Sequence, residues 1–197
     1  MKVFISTNFK NKSESDIRKD IRTAKAVLRA LVELPNAKSV LRALVELPND
    51  GDSTKLIKTK LAARKLLLGD LLPTDVFCEP LSFAHNLDSI IPENETTSVK
   101  HDALYHLGNA FKTLSTCDAI VIFEHDSVPN GHGVIMEDIA ANYYNIGPRI
   151  EIWDDGYEFK ILINGVCESS ETTSSDTIIP TVQHSVQHSF TIAYDDI

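Results

Sequence analysis

The stretch CDAIVIFEHDSVPNGHGVIMEDIAAN, Cys117 to Asn142, passes from apolar to polar and back to a mixed pattern. Ala119–Phe123 is a short, unbroken apolar run, the pattern of a strand covered on both faces. Glu124–Gly133 is polar and contains Pro129, Asn130, Gly131 and Gly133, so it reads as a loop. From Val134 to Tyr144 the apolar residues fall at helical spacing, interrupted by the acidic pair Glu137-Asp138. The expectation is a strand, a glycine turn and a helix with Glu137 in its first turn. That is the place where open α/β sheets bind ligands, outside the carboxyl ends of their strands.

Upstream, Lys2–Ser6 has the look of a first, central strand, and Ser6, Thr7 and Asn8 bring hydroxyl and amide groups to its carboxyl end. Ser13-Glu14-Ser15-Asp16 supplies helix-start chemistry for a helix from about Glu14 to Leu34, which Pro35 stops. The segment VLRALVELPN at Val27–Asn36 then recurs at Val40–Asn49, and Ala24-Lys25 recurs as Ala37-Lys38. A single tandem copy is no solenoid. It predicts two helices with a break at Pro35, the extra copy lying at the periphery. Asp50–Ser53 reads as a turn, Thr54–Leu68 as a helix with a solvated basic face, and Asp75–Cys78 as a second strand ended by Glu79-Pro80. His85–Ser98, with no clear periodicity, reads either as a lid over the site or as an idle surface loop, and Val99–Leu114 is helical.

Downstream, Gly147-Pro148 ends the helix that carries Glu137. Arg149–Trp153 and Tyr157–Ile163 read as a hairpin about Asp154-Asp155-Gly156. Cys167–Asp176 is a polar linker, and the alternation of Val182, His184, Val186, His188, Phe190 and Ile192 makes a final strand. The organisation expected is one domain over residues 1–166, with a duplicated helical segment at 24–49, followed by a linker and strand over 167–197. Strands alternating with helices make this α/β: a flavodoxin-like, doubly wound parallel sheet with helices on both faces and a C-terminal β tail.

A net charge of −9 and a pI near 5.2 argue against grip on a nucleic-acid backbone, which takes a basic face. The three cysteines, Cys78, Cys117 and Cys167, form no CxxC pair and read as small buried hydrophobes in a reducing compartment. His101 and His106 are out of register for a metal pair, and His184 and His188 have no third ligand near them, so no metal site is expected. No apolar run is long enough to span a membrane, and a cytoplasmic protein is the expectation.

The stretch around Glu137, with the opening KVFISTNF, resembles the nucleoside 2-deoxyribosyltransferase family and its nucleotide N-glycosidase relatives. The resemblance rests on Asp118 opening the strand, Gly133 four residues before Glu137, and Ala141 four after it. It implies a flavodoxin-like sheet, a Glu137 nucleophile that attacks C1′ of a nucleoside or nucleotide, no cofactor, and a homo-oligomer whose neighbouring subunit can complete the site. The substrate-binding residues are then Ser6, Thr7, Asn8, Asn130, Gly131, His132 and Gly133, and Asp126 is the candidate acid for the leaving base. Many family members carry Asp or Ser where this chain has Gly131, and Asn130 and His132 are the residues expected to make up that contact. Two other readings remain open: an NAD glycohydrolase similar to TIR-type domains, and a nucleotide-binding or assembly module without chemistry.

Overall fold

The computed structural model of the chain describes residues 1–8, 12–47, 54–68, 77–78, 107–125, 131–168 and 183–197. Strand β1 (Val3–Thr7) is buried at every position, as an inner strand between two neighbours must be. Helix α1 (Glu14–Glu33) opens with a capping box: Ser13 Oγ accepts from the Asp16 amide, and the Asp16 carboxylate accepts from the Ser13 amide. Leu34, forced out of the helical region by the proline that follows, breaks the chain, and α2 (Pro35–Glu46) starts with Pro35 at its first position.

Helix α3 (Thr54–Leu67) and strand β2 (Phe77–Cys78) follow. Then come helix α4, described over 107–114, and strand β3 (Ala119–His125). Helix α5 (His132–Tyr143) leads to strands β4 (Arg149–Asp154), β5 (Glu158–Glu168) and β6 (Gln183–Ala193). The six strands form one sheet in the order β2-β1-β3-β4-β5-β6. β2, β1, β3 and β4 run parallel, while β5 and β6 are antiparallel additions at one edge. β5 extends through Glu168, two residues beyond the expected domain boundary, and β6 pairs with it along its whole length.

Alternation along the strands divides the core into two layers. Val3, Ile5, Val121, Phe123, Ile150 and Ile152 pack against α1, α2 and α3. Phe4, Ile120 and Ile122 pack against α4 and α5. Helices therefore cover both faces, and α1 and α5, the helices that follow β1 and β3, lie on opposite sides.

Three expectations need correcting. The duplicated helix is not peripheral: Ala37, Leu41 and Leu44 of α2 are as deeply buried as Ala24, Leu28 and Leu31, their equivalents in α1. The basic face of α3 is not simply solvated. Lys65 pairs with Asp118 at 2.8 Å, Lys58 donates to the Tyr144 carbonyl at 2.8 Å and Lys55 to Asn142 at 3.2 Å, tying α3 to the residue before β3 and to the end of α5. Helix α5 ends before Gly147-Pro148, because Asn145 takes a left-handed conformation (φ 56°) and the Ile146 amide closes back on the Ala141 carbonyl at 2.8 Å.

Candidate active site

The parallel strand order changes direction at β1: β2 lies to one side and β3 to the other. The carboxyl ends of β1 and β3 therefore flank the crevice where such sheets take ligands. On the α5 side of that crevice stands Ser6, fully buried, with its hydroxyl donating to Glu137 Oε2 at 2.5 Å. Glu137 is only 8% exposed. Burial pushes its carboxyl up to about 7, and the Ser6 hydroxyl pulls the other way without offsetting it.

Glu137 does not lie in the first turn of its helix. β3 runs on to His125, and α5 begins at His132, so Gly133 is helical and Glu137 is the sixth residue of α5. The helix dipole acts mainly within the first turn, which explains why burial rather than the dipole sets this carboxyl. The placement on α5 still follows from spacing: Val134, Glu137, Ala140 and Ala141 share the buried face.

Asn8 reaches the same place from β1. A Cβ at Gly131 would lie 2.6 Å from Asn8 Oδ1, so the side chain missing at 131 is replaced in space by the amide of Asn8. Gly131 caps α5 with an extended backbone and no side-chain bond, and His132 and Gly133 are exposed at the helix start. Asn130 and Asp126 lie outside the described residues, as do His101, His106, Glu79, the loop His85–Ser98 and most of the linker.

Thr7 is turned away from this group by strand alternation. Its hydroxyl lies 3.4 Å from Asp20 of α1, on the opposite face. There a second polar cluster assembles. Asp20, nearly buried, also takes the Lys12 ammonium and stands 3.1 Å from His125 Nε2. His125 Nδ1 is 3.5 Å from Asp154, which accepts from the Tyr194 hydroxyl and, at 2.9 Å, from the Gly156 amide. On the α5 face, Trp153 Nε1 donates to Glu124 at 3.1 Å. Glu124 and His125 were expected in the loop. The register Glu124↔Trp153 and His125↔Asp154 keeps them in β3 and sends them to opposite faces.

Away from the crevice, the Cys117 thiol donates to the Thr113 carbonyl at 3.4 Å; the neighbouring Cys117 thiol brings Cys78 down to about 7, while the Cys78 thiol beside it and burial push Cys117 up. No group of three or more His, Cys, Asp or Glu side chains among the described residues is arranged to hold a metal ion. No described helix is long and apolar enough to cross a membrane. Comparison with family models, curated proteins and solved structures finds no match to this chain.

Proposed function

We propose that the chain cleaves or exchanges the N-glycosidic bond of a nucleoside or nucleotide, with Glu137 as nucleophile. The observation that carries this is the buried Ser6–Glu137 pair at the carboxyl ends of β1 and β3. The strand order of the parallel part, 2-1-3-4, is that of flavodoxin-like sheets, in keeping with the resemblance around Glu137.

A carboxylate in a dry site is matched to the positive charge that develops at C1′ in an oxocarbenium-like transition state. Glu137 attacks C1′ as the bond to the base breaks, and the base leaves with the electron pair and takes up a proton. Ser6 fixes the carboxylate rotamer. Water or a second base then opens the glycosyl ester. Asp126 is the proton donor that the sequence offers. At the ligand's other end, α5 starts with no carboxylate in its first turn, whereas α1 is capped by its own Asp16, so an anionic group would be drawn to α5. The resemblance also implies a homo-oligomer, and the exposed Ile135, Met136, Ile139 and Tyr143 of α5 are the surface it would cover.

The test is chromatography of base released from nucleosides, their 5′-monophosphates and NAD, with and without an acceptor base. Base release by the wild type and its loss in Glu137→Gln is the expected result. Turnover retained in that variant would sink the mechanism. Release from NAD alone would favour the NAD glycohydrolase reading. A second reading, a nucleotide-binding module without chemistry, is favoured by one feature: the Ser6 hydroxyl is already committed to Glu137. A thermal shift with nucleotides and no product from any substrate would establish it.

A further inference from the structure

We infer that the chain carries a second ligand site, at the opposite end of the sheet from Glu137, built for a small organic anion. An open cavity of about 350 Å³ lies at the amino ends of β3 and β4, between the first half of α3 and the second half of α5. Small-molecule sites begin at about this size. The crevice beside Glu137 lies at the carboxyl ends of the strands, so occupancy of this cavity does not depend on what Glu137 does.

A buried hydroxyl faces the cavity with nothing to bond. Thr59 of α3 is 2% exposed, and its hydroxyl makes no hydrogen bond among the described residues. A buried donor left unpaired destabilises a fold, and native chains keep few of them. Gly147 keeps the space beside it open: a Cβ there would stand 2.8 Å from Thr59 Oγ1. Lys55 lies one helical turn before Thr59 and shares its side of α3. Its ammonium donates to the neutral oxygen Oδ1 of Asn142 at 3.2 Å, which leaves the Nδ2 hydrogens of that amide for another acceptor.

The facing wall is balanced within itself. Arg149 clasps Asp138 through Nε and Nη2, at 2.7 and 3.1 Å. Its remaining arm meets Glu151, which also accepts from the Asn164 amide at 2.9 Å. The charges of this wall are thus spent on one another. The donors left over, on Lys55, Thr59 and Asn142, call for an anion with oxygen acceptors. Buried Ile120, Ala141 and Ile146 line the same cavity and call for a carbon skeleton. A short-chain carboxylate meets both demands.

The experiment titrates the isotope-labelled wild-type chain with butyrate, with butyramide, its uncharged isostere, and with inorganic phosphate, and follows the backbone amide resonances. Saturable shifts at Thr59, Asn142 and Gly147 are expected with butyrate. Butyramide, which lacks the charge, and phosphate, which lacks the carbon chain, are each expected to bind at least about tenfold more weakly. Thr59→Val keeps the shape and removes the hydroxyl, and Lys55→Met removes the charge. Each is expected to weaken butyrate about tenfold or more. Thr59→Val is also expected to melt no lower than wild type in the absence of ligand, because it removes an unpaired donor. No saturable shift at these amides, butyramide binding as tightly as butyrate, or undiminished affinity in both variants would overturn the site. A clearly lower melting temperature for Thr59→Val would mean that the hydroxyl is already bonded, and would overturn its role. Phosphate binding as tightly as butyrate would overturn the organic part of the ligand in favour of a bare anion.

Discussion

A carboxyl that titrates near 7 in the fold and near 4.5 when unfolded makes Glu137 a group that works against stability as pH rises. Below about pH 4.5 both states hold the proton and nothing is lost. Between the two values the folded chain binds more protons than the unfolded one, so stability falls with rising pH. Above 7 the full penalty, on the order of 3 kcal/mol, is present. Glu137→Gln is therefore expected to melt higher than wild type at pH 8, with the advantage shrinking toward pH 4.5, as read by thermal denaturation across that range. An equal melting temperature at pH 8 would mean that water reaches the carboxyl. Ser6→Ala removes the hydroxyl that, among the described residues, lowers this carboxyl, so the acid limb of the pH–rate profile is expected to move up. Glu137 and Ser6 were both legible in the sequence, one from its place after a glycine turn and one from the end of an apolar strand. Asp20 was not, because its partner His125 is 105 residues away and nothing local to either marks the pair. The available signal was the run Glu124-His125-Asp126 at the end of a buried strand, which composition alone assigned to the loop.

The two copies of the repeat show what local sequence decides and what it leaves open. The capping box at Ser13 and the proline at 35 set the bounds of α1 and α2, and both could be read directly. The phase of the second copy depends on the break. At about 100° per residue, a shift of 13 positions along an unbroken helix would turn the repeated apolar face by about 220°. Extended backbone at Leu34 resets it, so Leu44 falls in the core where Leu31 does. Leu31→Ala and Leu44→Ala should each cost about 2–5 kcal/mol in chemical denaturation. A loss under about 0.5 kcal/mol at Leu44 would restore the peripheral reading of the copy. That reading failed because a duplication was taken to be an addition to a finished core, although identical apolar positions imply an identical need for burial. The extent of β3 was missed for a different reason. Glu124 and His125 are polar, and only pairing with Trp153 and Asp154 keeps them in the strand.

At the scale of the molecule, the alternation of strands and helices was enough to give a parallel sheet with a hairpin and a terminal strand. It could not give the order of the strands, which depends on which helices pack on which face. The order matters because it sets β1 beside β3 and brings α5 to the crevice. One face of α5 carries Glu137, while Ile135, Met136, Ile139 and Tyr143 on its outer surface are between 40 and 81% exposed. Contiguous apolar surface of this kind marks an interaction site more often than scattered single residues do. In a closed dimer the same patch meets its own copy, so two substitutions remove it from both sides at once. The double variant Met136→Lys/Ile139→Lys leaves the buried face of α5 intact and puts like charges across such a contact. Light scattering is expected to give a dimer or larger for the wild type and the mass of one chain for the variant. Unchanged mass in the variant would place the contact elsewhere, and a monomeric wild type would leave the stripe as surface. If base release falls in a variant that is monomeric and still melts cooperatively, the neighbouring copy contributes to the site. If it persists, each chain holds a complete one.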